Sequence, residues 1–248
     1  TGEIESASEA NSGGRKQVVL HCVDNAIATL QYKHRTTMQL DQRADEYIDT
    51  LLTAVGGISS TLDRGMNNVL PFAWCDDENV WTECKNAAAA DGGWFYFGKD
   101  GVARFERMTH WLEAADHTAS QATINAARMW NYVDEIVWRD VYSSVIVAYT
   151  PRRIGPEQVI YESDRPITVG PGETVNLTAL FKCPVASYIP PVVYTDFWPV
   201  TAGMNSQSSN VTITVTAYAM QADIAIANAD PNYAAYVLDF QLRGYPVE

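Results

Sequence analysis

The sequence lacks the motifs that usually declare a chemistry. There is no GxSxG nucleophile turn, no phosphate-cradling P-loop and no GxGxxG dinucleotide fingerprint, so the common routes to hydrolysis, phosphoryl transfer and hydride transfer have no anchor. Only four cysteines occur, Cys22, Cys75, Cys84 and Cys183, and their spacing matches no CxxC metal or redox pattern. They are expected as small buried hydrophobes, with a Cys75–Cys84 disulfide as the alternative. Basic side chains are scarce: 17 Lys and Arg against 30 Asp and Glu give a formal charge of −13, which opposes nonspecific attachment to a nucleic-acid backbone. The same charge would let DNA pass close by without sticking. No run reaches the roughly 18 apolar residues of a membrane helix, and the opening TGEIESASEANSGGRK has no apolar signal-peptide core. It also lacks an initiator Met, which suggests a processed or excised piece of a longer chain. Charged residues make up 19% of the total, below the roughly one quarter usual for globular domains. More of the surface is then apolar, neutral or covered by neighbours, so association is expected.

What is present points to an α+β protein of 248 residues: a small helix-plus-hairpin α/β unit, then a mainly antiparallel β-sandwich or barrel region. Residues 1–16 read as a flexible arm, 17–110 as the α+β unit, 111–140 as a linker with a short helix at 121–129, and 141–248 as the β-rich domain. QVVLHCVD (17–24) reads as a buried strand, followed by a short helix through Ala26, Ile27 and Leu30. From Asp41, a possible N-cap, Ala44, Tyr47, Ile48, Leu51, Leu52 and Val55 form one helical stripe that Gly56 ends. A second, alanine-rich helix is expected over 77–90, with Val80, Cys84, Ala87 and Ala88 on one face and Asp91-Gly92-Gly93 as its stop. Strands are expected at 142–149, 157–163, 173–181, 210–218, 222–228 and 234–244. In NVTITVTAY, Val211, Ile213, Val215 and Ala217 alternate with Thr212, Thr214, Thr216 and Tyr218, giving one packed and one wetter face. Asn176 and Asn210 sit in glycosylation sequons but read as strand residues.

The densest feature is GGWFYFGKDGVARFE, residues 92–106, four rings in a row before a turn and an alternating return strand. With a loop of two or four residues around Gly98-Lys99-Asp100-Gly101, Trp94, Tyr96, Ala103 and Phe105 share one face and Phe95, Phe97, Val102 and Arg104 the other. Aromatics on both faces require cover on two sides, one by the helices and one by another layer or another subunit. Trp94, Phe95, Tyr96, Phe97 and Phe105 are therefore candidate interface or structural residues. No catalytic, cofactor-binding or metal residue is assigned. His110 and His117 flank Glu113 and Asp116 in HWLEAADH without the spacing of a metal helix, and His21 and His34 stand apart. Asp76-Asp77-Glu78 reads as helix capping, with a glycosidase pair drawn from Asp76, Asp77 and Glu83 as the sharper alternative. Exposed rings such as Trp198 and Tyr188 raise a carbohydrate- or receptor-binding alternative.

The ordered pattern of strand, short helix, amphipathic helix, alanine-rich helix, GGWFYFGKDGVARFE and a β-rich tail ending AIANADPNYAAYVLDFQLRGYP (225–246) resembles the hub and minor tail proteins at the tip of bacteriophage tails. The resemblance spans most of 17–110 and about 140–248. It implies a structural, non-enzymatic virion protein of the distal tail, without cofactor. Its partners would be copies of itself in a ring, threefold favoured, and other tail or baseplate proteins, with DNA only in transit during ejection.

Overall fold

The computed structural model describes residues 2–12, 15–24, 26–67, 69–113 and 151–248. Within them the chain is α+β, as the sequence implies. The expected strand at 142–149, the short helix at 121–129 and His117 lie outside the described residues.

The first surprise is at the start. Where a flexible arm was expected, β1 (Gly2–Ser12) pairs antiparallel with β2 (Arg15–Asp24), from Gly2 opposite Asp24 to Ser12 opposite Arg15. Backbone pairing organises a polar stretch that no packing pattern announces, and Gly13-Gly14 between the strands is a two-residue hairpin signal. The pair has no third strand among the described residues. β2 is the strand expected at 17–24 and carries His21 and Cys22; its Val18 is 66% exposed, so at that position it is not buried.

After α1 (Ala26–Gln31) come β3 (Lys33–Arg35), β4 (Gln39–Gln42), α2 (Ala44–Val55), β5 (Ser60–Leu62), β6 (Leu70–Ala73), β7 (Asp76–Asn79), α3 (Val80–Ala90), β8 (Trp94–Phe97), β9 (Ala103–Glu106) and α4 (His110–Glu113). The amphipathic stripe of α2 is as expected, with Ala44, Tyr47, Ile48, Leu51 and Leu52 buried and Gly56 ending it at φ 75°. Its cap differs. Asp41 sits in β4 with φ 52°, and the helix starts after Arg43, whose backbone N–H donates to the Glu46 carboxylate.

α3 begins three residues later than expected because Asn79, not the acidic cluster, caps it by accepting from the Thr82 N–H at 2.8 Å. Asp76, Asp77 and Glu78 instead form β7 against β3, where Asp77 faces Lys33 at 3.7 Å and Arg35 at 3.5 Å. Opposite charges across the strands make a tolerable ladder from residues with poor strand propensity. The core of this unit is made by α2, α3 and the β5–β9–β8 sheet.

The second unit contains β10 (Gln158–Glu162), β11 (Ile167–Val169), β12 (Thr174–Leu180), β13 (Val185–Ile189), β14 (Trp198–Val200), β15 (Val211–Ala217), β16 (Gln221–Asn228), β17 (Ala235–Leu238) and β18 (Gln241–Pro246). They form three antiparallel sheets, ordered β10–β18–β13, β11–β17–β14 and β12–β16–β15, consistent with a sandwich; among the described residues no closed barrel is formed. The expected strand at 234–244 is two strands, broken where Asp239 adopts φ 50° and Phe240 turns into the core. In β15, Thr212, Thr214 and Thr216 are exposed while Val211 is buried and Ile213 and Val215 half-buried, as the alternation requires. Asn176 is exposed on β12, and Asn210 precedes β15 with its amide donating to Gln207 and Asp230.

The two units touch through a small third cluster in which Met38, Phe72 and Trp74 meet Ala186, Ala219 and Val247. The Ala219 N–H donates to the Thr36 carbonyl at 3.0 Å, and the Arg152 guanidinium lies 4.9 Å from the centre of the Trp74 ring.

Candidate functional site

The aromatic hairpin is built by the end of α3. The N–H groups of Gly92 and Gly93 donate to the carbonyls of Ala89 and Ala88, closing the last turn, and Gly92 supplies the left-handed residue at φ 71°. Gly93 is fixed by crowding: a Cβ there would run into the Glu106 carbonyl and lie 2.9 Å from the Phe105 ring. The entry to β8 and the end of β9 thus approach too closely for any side chain at this position.

The register corrects the expected parity. Trp94 pairs with Glu106, Phe95 with Phe105, Tyr96 with Arg104 and Phe97 with Ala103. Phe97 to Ala103 encloses five residues rather than two or four, closed by Gly101 N–H to Gly98 O and Gly98 N–H to Val102 O, and the odd count exchanges faces. The inner face is Phe95, Phe97, Ala103 and Phe105, with Ala103 and Phe105 at 0% and 1% exposure. Trp81 of α3 lies against it, its ring 5.5 Å from Phe95 and stacked at 5.9 Å on Phe97. Phe95, Phe97 and Phe105 are therefore structural.

Trp94, Tyr96, Arg104 and Glu106 form the outer face. Trp94 is 67% exposed; Tyr96 is half-buried and its hydroxyl donates to Glu106 Oε1. That bond, more than burial, pushes the Tyr96 pKa above its ordinary value. His110 of α4 stands beside the same carboxylate, Nε2 to Oε1 3.7 Å, while its Nδ1 is 2.6 Å from Asp63 Oδ2. Asp63 also accepts from the Arg107 N–H, so an Asp63–His110–Glu106–Tyr96 chain ties α4 to the ribbon. Between them lies an open groove of about 680 Å³ lined by Trp94, Phe95, Tyr96, Glu106 and Trp111. Met108, Trp111 and Leu112 beside the ribbon are 62%, 56% and 76% exposed. Trp111, Met108 and Leu112 escaped sequence reasoning because the stretch after 106 shows no periodicity; HWL next to the ribbon was the available signal.

The other candidates stay apart from this groove. Asp76 and Asp77 are exposed on β7, while Glu83 is on α3, its carboxyl pKa raised by burial. His34 sits in β3, its pKa lowered by burial. Among the described residues no group of three or more His, Cys, Asp or Glu is placed to hold a metal ion, and no helix is long and apolar enough to cross a membrane. Cys75 and Cys84 are free thiols in the core; burial pushes Cys75 up to about 11 and raises Cys84 further. Cys183 is free and half-buried. Tyr188 packs on the β core and its hydroxyl donates to the Val215 carbonyl, whereas Trp198 keeps 37% exposure.

Comparison with protein-family models, with curated proteins and with solved structures finds no match for this chain.

Proposed function

We propose that this chain is a structural subunit of a bacteriophage tail tip, of hub or minor-tail type, acting without catalysis or cofactor in the distal tail of the virion. One observation carries the reading: the ribbon buries one ring-bearing face on its own helices and presents Trp94, with Met108, Trp111 and Leu112 nearby, on the other. Exposed large apolar side chains close together in the chain and on one groove wall suit contact with another subunit. Copies of the chain around an axis, three favoured, would close the tail tube, and the charge of −13 would keep DNA from adhering in transit. Mass spectrometry of purified virions together with an image of the particle tests this: the chain is expected in the distal tail, in several copies about the axis. Absence from the particle overturns it.

The second reading, a carbohydrate- or receptor-binding β module, retains the exposed Trp198, whereas Tyr188 is half-buried against the β core. A glycan array without a hit removes it. The third, a tail-associated glycosidase using Asp76, Asp77 or Glu83, has Asp77 already engaged with Lys33 and Arg35. It ends if the wild-type protein lyses no cell wall.

A further inference from the structure

The groove beside the ribbon has a chemistry more specific than apolar cover. Among the described residues its lining holds three exposed or half-exposed rings, Trp94, Tyr96 and Trp111, and a single charge, the Glu106 carboxylate. Trp94 and Glu106 are direct cross-strand partners, and Tyr96 lies one step along the same face. The Tyr96 hydroxyl fixes the carboxylate through Oε1. Arg104, opposite Tyr96, does not line the groove; its guanidinium is paired with Asp100 at 2.6 Å and also interacts with the Tyr96 side chain, so its charge is already matched within the hairpin. On the α4 side His110, held by Asp63, approaches the Glu106 carboxylate at 3.7 Å, while the Arg107–Glu113 pair lines a separate pocket with Asp63 and Arg64.

We propose that this groove receives an arginine side chain presented by a second copy of this chain. Ring faces attract a cation, and a carboxylate on the wall supplies the counter-charge. A flat, weakly hydrated guanidinium stacks on tryptophan at a smaller dehydration cost than the compact ammonium of lysine. A neutral sugar fits less well, since it needs several hydrogen-bonding groups, and the lining offers one carboxylate and a hydroxyl already bonded to it. The source of the arginine rests on the assembly reading; the chemistry of the groove is tested separately from it.

The test titrates the full chain with N-acetylarginine amide, with the uncharged isostere N-acetylcitrulline amide, with N-acetyllysine amide and with a hexose. Tryptophan fluorescence and amide shifts at residues 94–96, 106 and 111 are the readouts. Saturable binding of the arginine compound is expected, with the citrulline compound weaker by about tenfold. Glu106→Gln is expected to remove that charge preference, and Trp94→Ala, at an exposed position, to weaken binding about fivefold without unfolding the chain. Equal binding of citrulline, preference for lysine or hexose, or no saturation overturns the assignment. If the wild type assembles and Glu106→Gln assembles equally well, the arginine contact is overturned while the assembly reading stands. If the arginine compound binds but the protein stays monomeric, the subunit as its source is overturned.

Discussion

Two aromatic neighbours in the ribbon have opposite roles, and substitution separates them. Phe105, at 1% exposure, is expected to cost about 3–5 kcal/mol when replaced by Ala, whereas Trp94→Ala at 67% exposure is expected to cost less than about 0.5 kcal/mol. Chemical denaturation reads both, and equal losses would contradict the assigned faces. Gly93→Ala is expected to cost about 1–3 kcal/mol, since its new Cβ would press on the backbone of β9 and the Phe105 ring. A third residue-scale expectation concerns Asp196, whose side chain is 1% exposed and which holds the Arg243 guanidinium at 2.6 Å. Burial alone would raise its pKa, but hydrogen bonds from Arg243 and the Val192 N–H outweigh burial and bring it below the ordinary 3.8. The stabilisation is therefore fully present above that value and is lost as pH falls through the lower folded value. Acid titration of the melting temperature is expected to be shallower in Asp196→Asn, and an unchanged slope would contradict the assignment. None of these contrasts was visible in composition: which rings face inward depended on whether the loop held an even or odd number of residues.

At the scale of elements, long periodic segments were legible and short or polar ones were not. The α2 stripe and the alternation in β12, β15 and β16 follow from burial on one side, which leaves a repeating pattern in the sequence. β11 and β14, three residues each, are too short to show one, and β7 is a strand because Lys33 and Arg35 lie across from it, a partnership no local window contains. The same holds for β1, whose pairing with β2 depends on a strand beyond the Gly13-Gly14 dipeptide. An isolated two-stranded ribbon is marginal by itself. Deleting residues 2–24 is accordingly expected to leave the melting temperature of the remaining chain unchanged within error. A large drop in melting temperature would show that the ribbon belongs to the protomer core instead.

At the scale of the whole molecule, among the described residues two cores are joined by a small apolar cluster, the Ala219–Thr36 backbone bond and the Arg152–Trp74 contact, and the ribbon sits on the first of them. The α+β architecture was readable from the order of periodicities. The groove was not, because it needs α4 and the outer hairpin face together, and sequence parity had placed Phe105 where Glu106 stands. The central claim is that this outer face is a joint between subunits. Sedimentation of the wild-type chain beside Trp94→Ala tests it most directly: the wild type is expected at a multiple of the 27.4 kDa protomer mass and the variant near one, with unchanged circular dichroism. A wild type that stays at one protomer mass throughout the micromolar range, or a variant that assembles as well as the wild type, would contradict it.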